Sequence, residues 1–231
     1  MNHDIVYLLK DGPNEELRYS LRSVAKNFPH GRIIFVGGCP EDIEPDVHIR
    51  IEQTEPTKWA NTRQNLIAAC KNPGVSDDFW LFNDDFFIMK PYKSNGREAD
   101  NTLWHHIAEI ENRHFMTMSK YTLMLRHCGK TLRDAGIIKP LNYAVHRPML
   151  INKDKALQII RRFPCEPMFR NLYGNLTTGE TQAVKDIKIT NWSTDRYEGA
   201  DIISTEDKAF RDGKVGQYIR ASFFKPSIWE R

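Results

Sequence analysis

Two adjacent carboxylates, Asp84 and Asp85, are the residues of this sequence best placed to do chemistry. They lie in the stretch FWLFNDDFFIMKP, with apolar residues directly before and after them. A charge that lacks a partner in apolar surroundings is strongly destabilising, so the pair needs compensation. Mn²⁺ or Mg²⁺ would supply it, because these ions take carboxylate oxygens together with phosphate oxygens. The sequence therefore predicts a metal site at this pair, and a solvated surface turn is the alternative.

The elements that must position these acids alternate between strands and helices. The apolar runs at 4–9, 32–37, 47–51 and 79–82 predict strands, and the segments 15–27 and 57–71 predict helices. This alternation is typical of an α/β domain with a mainly parallel sheet. In such sheets, ligands bind beyond the carboxyl ends of the strands. Asp11, Gly37, Asp84 and Asp85 all follow strand ends and are expected at that edge.

The second half of the chain is less regular and strongly basic. It has predicted helices at 100–113, 117–135 and 153–162 and a predicted strand at 143–151. From Arg113 to Arg170 there are twelve Lys and Arg against three acids, a net charge of +9 that leaves −6 for the rest of the chain. Such a field attracts phosphates. The alternative is a solvated helical surface rich in Lys and Arg.

Several basic and amide side chains have the spacing of a phosphate site. Arg18 and Arg22 are one helical turn apart, and their guanidinium groups match phosphate oxygens. An exposed pair that bridges to an acid is the alternative. Lys58, Asn61 and Arg63 lie at a predicted helix start, which favours pyrophosphate through its free N–H groups. A solvated first turn is the alternative.

Two residues are candidates for proton transfer. Glu180, in TGETQ, is a candidate base for an acceptor hydroxyl, provided that it lies within hydrogen-bond reach. His146, in AVHRP, can ligate a metal or shuttle a proton near neutral pH. A hydrogen-bonded packing role is the commoner one for a single histidine.

Four blocks occur in a recognisable order: DIVYLLKDG at 4–12, EELRYSLRSV at 15–24, WLFNDDFF at 80–87 and AVHRPMLI at 144–151. This order resembles the Stealth family, which includes bacterial capsule sugar-phosphate polymerases and the lysosomal-enzyme GlcNAc-phosphotransferase. The triplet Asn83-Asp84-Asp85 occupies the place of the D-x-D-like motif in glycosyltransferases of the GT-A type. Leu9 and Lys10 depart from the Trp-Val of the family's first block.

The resemblance implies a GT-A-like (Rossmann-like) fold, with a mainly parallel sheet flanked by helices, in one domain spanning 1–231. We expect 1–95 to be the nucleotide-binding half and 96–231 the acceptor half with the basic helices. Asp11 would hydrogen-bond the nucleotide base or ribose, with Gly12 permitting the turn. Asp84 would be catalytic, Asp85 a metal ligand, and His146 a metal ligand or a catalytic group.

These observations predict a metal-dependent glycosyltransferase that uses a nucleotide-sugar donor. Its acceptor would be a saccharide or a modified DNA base. One alternative is a Stealth-type sugar-1-phosphate transferase, which releases a nucleoside monophosphate. A second is a non-catalytic nucleic-acid-binding protein that uses its basic helix. No apolar run reaches the roughly 20 residues needed to span a bilayer, so we expect no transmembrane segment and a cytoplasmic protein.

Overall fold

The structure is a computed structural model, and it describes residues 2–113, 119–190 and 197–231. The strands of these residues belong to three sheets of five, three and two strands. In chain order they are β1 Asp4–Leu9, β2 Ile33–Gly37, β3 Val47–Arg50, β4 Asp78–Phe82, β5 Phe86–Ile88, β6 Glu98–Ala99, β7 Met149–Asn152, β8 Gln182–Ala183, β9 Lys188–Ile189 and β10 Ile202–Thr205.

The helices surround these sheets. In chain order they are α1 Glu15–Asn27, α2 Lys58–Lys71, α3 Leu103–Arg113, α4 Lys120–Asp134, α5 Lys153–Arg162, α6 Phe169–Leu176, α7 Asp207–Asp212 and α8 Lys214–Ser222. Within the described ranges, none of the helices is both long and apolar enough to cross a membrane.

The five-stranded sheet forms the centre of the fold, in the order β3-β2-β1-β4-β7. Its first four strands are parallel, and β7 pairs with β4 in the antiparallel direction. Strands β1 and β2 are buried along nearly their whole length, as parallel strands covered by helices on both faces must be. The predicted mainly parallel sheet is confirmed.

Helix α1 shows how local sequence sets an element boundary beside the sheet. The Asn14 side chain accepts a hydrogen bond from the Leu17 N–H at 3.0 Å and caps the first turn. Leu17, Leu21 and Val24 then form the buried face of the helix. The helix therefore begins directly after the β1–α1 loop and brings its first turn to the carboxyl end of the sheet.

The strand ends are packed closely at this edge. Asn65 of α2 is buried and donates to the carbonyl oxygens of Leu9, at 3.4 Å, and Val36, at 3.1 Å. Gly37 has φ of +98°, and a side chain there would collide with the Leu9 carbonyl and the Asn65 amide. Only a glycine allows this approach.

A three-stranded sheet, in the order β5-β10-β9, adjoins the same edge. Strand β5 begins directly after Asp84 and Asp85 and runs antiparallel to β10. Strand β9 runs parallel to β10, with Lys188 opposite Ser204. This small sheet therefore brings late parts of the chain against the acidic turn between β4 and β5.

The second half departs from the predicted elements. The predicted strand at 143–151 is wrong for its first part, because only Met149–Asn152 is a strand. The N–H groups of Tyr143 and Ala144 donate instead to Asn171 Oδ1, at 2.7 and 3.0 Å. Helix α4 begins at Lys120, and the start of the predicted helix at 117 lies outside the described residues.

Candidate active site

A cleft of about 930 Å³ opens at the carboxyl edge of the central sheet. Its walls come from the β1–α1 loop, the start of α2, the turn after β4, residues 144–146, the start of α6, strand β9, and the junction of β10 with α7. This is the place at which α/β sheets bind ligands. Both halves of the chain contribute to it.

Asp84 lines the cleft and is held by the capping residue of α1. Asn14 Nδ2 donates to Asp84 Oδ2 at 2.6 Å, while Asn14 Oδ1 caps the helix. Burial, and then the neighbouring charge of Asp85, raises the pKa of Asp84. Asn14 thus couples the position of this carboxyl to the start of α1.

Asp85 is compensated by protein groups. Its side chain is 14% exposed and forms an ion pair with Lys188, while Ser204 Oγ donates to Oδ2 at 2.9 Å. Burial opposes ionisation, but the charge of Lys188 and the hydrogen bonds from Lys188 and Ser204 hold the pKa of Asp85 below its ordinary value. The other oxygen, Oδ1, is buried without a hydrogen-bond partner among the described residues.

His146, in the wall of the cleft, is hydrogen-bonded to Asp186 behind it. The two oxygens of Asp186 bind His146 Nδ1 at 2.7 Å and its backbone N–H at 2.8 Å. Burial opposes ionisation of Asp186, but the bonds from His146 lower its pKa. The His146 ring also lies edge-on to Phe86. These two hydrogen bonds fix the orientation of the imidazole, as a carboxylate does for many catalytic or metal-binding histidines.

Arg170 is a cation of the cleft that sequence reasoning missed. It donates to the carbonyl oxygens of Arg147, at 2.7 Å, and Leu81, at 3.3 Å, and its guanidinium lies over the Phe86 ring. Burial lowers the pKa of Arg170 to about 10, and the charge of Asp85 opposes that shift. The group therefore stays charged at neutral pH beside the acidic turn.

Glu16 is a third carboxyl of the cleft, on the first turn of α1. Thr205 Oγ1 donates to its Oε1 at 2.5 Å. Burial raises the pKa of Glu16 to about 7, and the charges of Asp85, Asp84 and Asp207 act in the same direction. The block EELRYSLRSV contains Glu16, but the sequence predicted roles only for its two arginines, Arg18 and Arg22.

The predicted phosphate cluster on α2 does lie in the cleft wall. Lys58, Asn61 and Arg63 all line it. Arg63 Nη2 donates to the Ile160 carbonyl at 3.2 Å, and the Lys58 ammonium lies over the Trp59 ring. The Asn61 side chain exchanges hydrogen bonds with the Glu55 backbone at 3.0 and 3.1 Å. Their phosphate-binding role stays a prediction.

Other predicted site residues do not line the cleft. Asp11, exposed beside the rim, pairs with Arg50 at 2.5 Å, and Gly12 follows it with φ of +107°. Arg18 pairs with Asp42, and Glu180 is exposed on a loop where its carbonyl accepts from Asn95 at 3.0 Å.

Arg22 also lies away from the cleft. It binds both oxygens of Glu230, at 2.8 and 2.5 Å, and the Phe223 carbonyl at 3.0 Å. The structure therefore does not bring Arg18, Arg22 or Glu180 together with the acidic pair. For the two arginines the physical reason is that acids elsewhere in the chain, Asp42 and Glu230, already hold their guanidinium groups.

The predicted ligation of a divalent cation by Asp85 and His146 fits this arrangement poorly. Among residues 2–113, 119–190 and 197–231, no three His, Cys, Asp or Glu side chains converge as a metal-binding group. His146 is oriented by a carboxylate, as a metal-binding histidine would be. Asp85, however, is already paired with the Lys188 ammonium, and its charge also interacts with the Arg170 guanidinium. A dication at Asp85 would face two like charges.

The mixed α/β fold, a central sheet flanked by helices, is similar to that of a glycosyltransferase of known structure, so the predicted GT-A-like fold class is confirmed. The comparison that shows it is with two crystal structures of LgtC. One is of an active-site mutant of LgtC, and the other is described as the galactosyltransferase LgtC in complex with donor and acceptor sugar analogs. Their TM-scores are 0.53 and 0.52, and each shares 10% identity over 97% of this chain and 98% of that one.

A third structure, the glycosyltransferase GlyE from Streptococcus pneumoniae TIGR4, has a TM-score of 0.41 at 10% identity, over 80% of this chain and 45% of that one. The fold assignment rests on the two LgtC structures. No family model matches the sequence, and no curated protein matches it.

Proposed function

We propose that the chain is a glycosyltransferase that binds a nucleotide-sugar donor in the cleft. The observation that carries the proposal is the set of buried charges at the strand ends, with carboxylates beside fixed cations. Asp85 Oδ1 is a buried acceptor without a donor among the described residues. A buried acceptor without a hydrogen bond destabilises the protein unless a ligand supplies the missing donor, and a sugar hydroxyl is a suitable donor.

The charges of the cleft match the two ends of such a donor. Lys188 and Arg170 lie beside Asp85, and Lys58 and Arg63 lie in the α2 wall. Cations of this kind bind the oxygens of a diphosphate, while Asp84 and Asp85 would accept hydrogen bonds from sugar hydroxyls. The division into a nucleotide-binding half at 1–95 and an acceptor half at 96–231 belongs to this proposal, as does base or ribose binding by Asp11 and Gly12.

The reaction would use His146 as the proton acceptor. An acceptor hydroxyl attacks the anomeric carbon, the bond from that carbon to the phosphate oxygen breaks, and the hydroxyl proton moves to His146. Asp186 orients the imidazole and stabilises its charged form. No step passes through a metal ion. Glu180, exposed and outside the cleft, has no part in it.

A thermal-shift panel tests the proposal. UDP-, GDP- and CDP-sugars would each be added, with and without Mn²⁺, to the whole chain. Ligand at about a hundred times its Kd adds about 2.7 kcal/mol, which raises Tm by about 5–10 °C for a domain of this size. A panel in which no nucleotide sugar stabilises the protein would contradict donor binding and favour the non-catalytic nucleic-acid-binding alternative.

The Stealth-type reaction is a second candidate, favoured by the order of the four blocks and by the location of Asp84, Asp85 and His146 in one cleft. In it the acceptor attacks phosphorus rather than the anomeric carbon. Product analysis separates the two, because sugar-phosphate transfer releases a nucleoside monophosphate and glycosyl transfer releases a nucleoside diphosphate.

The acceptor is proposed as a saccharide or a modified DNA base. Binding to duplex DNA would weaken steeply with salt, since each phosphate contact releases counterions. A saccharide acceptor would show no such dependence. A gel-shift series in rising salt distinguishes them.

A further inference from the structure

We propose that Lys188, together with Arg170, supplies the positive charge at the acidic pair in place of a divalent cation, so that the donor diphosphate is bound and released without metal. This inference rests on the proposed function and names the groups that hold the leaving group. It departs from the metal dependence that the acidic pair predicts.

Lys188 is held in place from three sides. Its ammonium donates to Asp85 Oδ2, to Ser204 Oγ at 3.2 Å and to the Thr205 carbonyl. The backbone register places Lys188 opposite Ser204 in the parallel β9–β10 pair. An ammonium has three hydrogens to donate, and each has an acceptor here. The side chain is therefore fixed at the carboxylate and is still 27% exposed to the cleft.

Arg170 approaches the same turn from α6. Its guanidinium donates to Leu81 O and, at 3.2 Å, to Asn83 Oδ1, so it is anchored to the residues that lead into the pair. Two fixed cations thus stand at the acidic turn, Lys188 paired with Asp85 and Arg170 hydrogen-bonded to Asn83. At Asp85, the charge that a metal ion would balance is already balanced by a lysine side chain.

The chemical consequence concerns the leaving group. When the acceptor oxygen bonds to the anomeric carbon, the bond from that carbon to the phosphate oxygen breaks, and its electron pair stays on the diphosphate. The proton of the acceptor goes to His146. The fixed positive charges of Lys188 and Arg170 can stabilise the new negative charge through space, because charges at a largely buried site are screened little by water.

The first experiment measures nucleotide binding without activity. UDP, GDP, CDP and ADP are titrated calorimetrically into the whole chain in excess EDTA and again in excess Mn²⁺. We expect one nucleoside diphosphate to bind with Kd values that agree within about twofold in the two conditions. Binding that weakens at least about tenfold in EDTA would overturn the inference and leave the proposed function standing. If no nucleoside diphosphate binds in either condition, the proposed function fails and the inference with it.

The second experiment uses the variants Lys188→Met and Lys188→Arg, with Lys185→Met as the matched control. Lys185 is exposed just before β9 and does not line the cleft. We expect Lys188→Met to weaken diphosphate binding in EDTA at least about tenfold, Lys188→Arg to retain most of it, and Lys185→Met to leave it unchanged.

Electron paramagnetic resonance of Mn²⁺ provides a readout that a structural role would not move. Wild-type protein should leave the free Mn²⁺ signal unchanged, whereas Lys188→Met exposes an uncompensated carboxylate pair and should reduce it. Specific Mn²⁺ binding by the wild type, with nucleotide affinity unchanged in Lys188→Met, would overturn the inference. Should Lys188→Met fail to fold, the EDTA comparison on the wild type decides alone.

Discussion

Two clusters of charge flank helix α1, and they are built differently. Arg22, Glu230 and the Phe223 carbonyl form a C-terminal clasp on one side. Glu16, Asp84 and Asp85 form a cleft cluster on the other. With 3.6 residues per turn, Glu16 and Arg22 project about 120° apart around the helix axis, toward different neighbours. One block of sequence therefore serves both clusters.

The clusters differ in how completely their charges are satisfied. In the clasp, both oxygens of Glu230 are bound by Arg22, and Ser227 also donates to one of them. In the cleft cluster, Asp85 Oδ1 has no partner among the described residues, and the pKa values of Glu16 and Asp84 are raised. Complete pairing is typical of charges that hold a fold together, and incomplete pairing of charges that meet a ligand.

The largest effect on activity is expected from Asp85→Asn. This variant removes the negative charge that holds Lys188 in place and that would accept a hydrogen bond from a hydroxyl of the nucleotide sugar. Turnover should therefore fall at least about a hundredfold, which corresponds to about 2.7 kcal/mol in the activation barrier. Nucleotide release measures the rate, and circular dichroism checks the fold. Asp77→Asn, exposed before β4, is the control. Wild-type turnover in Asp85→Asn would remove the cleft cluster from the chemistry.

The largest effect on stability is expected from Arg22→Ala in the clasp. Removing a partner of a charged hydrogen bond costs about 2 kcal/mol, and Tm should fall by about 4–8 °C while the rate below Tm is unchanged. Thermal melts and initial rates measure the two quantities. A lost rate with an unchanged Tm would instead place Arg22 in ligand binding, as the sequence predicts.

A smaller loss of rate is expected from His146→Ala. It should lower turnover at least about tenfold, about 1.4 kcal/mol, because the acceptor proton loses its base. Asp186→Asn should lower the rate less and shift its pH profile, since it changes only the orientation and charge of the imidazole. A lower Tm with no change in rate would assign the pair to packing.

The pH dependence of stability should reveal Glu16. Its pKa rises from about 4.5 unfolded to about 7 folded, so the native state binds the extra proton between these values. Stability from this group is full below about pH 4.5, falls as the pH rises to about 7, and is lost above it. Glu16→Gln should therefore be more stable than the wild type at pH 8 and equal to it at pH 4, as measured by Tm. An equal Tm difference at both pH values would contradict the raised pKa.

The smallest effect is expected from Arg18→Ala. Its pair with Asp42 is partly exposed, with side-chain exposures of 37% and 48%. Exposed pairs contribute up to about 1 kcal/mol, so unfolding in urea should shift by less than that. A loss as large as that of Arg22→Ala would extend the clasp to both arginines.

Sequence alone predicted the first half of the fold well. Helix α1 has a visible cap and an apolar face, and the parallel strands are short apolar runs with polar ends. The strand predicted at 143–151 failed in part because a side chain, Asn171, takes backbone donors that a strand would have used. Such competition is set by tertiary packing.

The site was predicted in part, for a similar reason. Asp84, Asp85 and His146 follow strands or lie in a motif, and they do line one cleft. Lys188 lies 103 positions from Asp85, and Glu230 lies 208 positions from Arg22. No pattern in the sequence near Asp85 or Arg22 identifies such distant partners. For this reason the sequence predicts a metal ion as the cation beside Asp85, and it predicts that Arg18 and Arg22 bind phosphate.

The bond between Lys188 and Asp85 also has a consequence for biosynthesis. The acidic turn leaves the ribosome more than a hundred residues before the lysine that neutralises it. In a nascent chain halted before β9, Asp85 would have no lysine partner. The charge of Asp85 is therefore neutralised only late in translation, when β9 and β10 dock beside the turn.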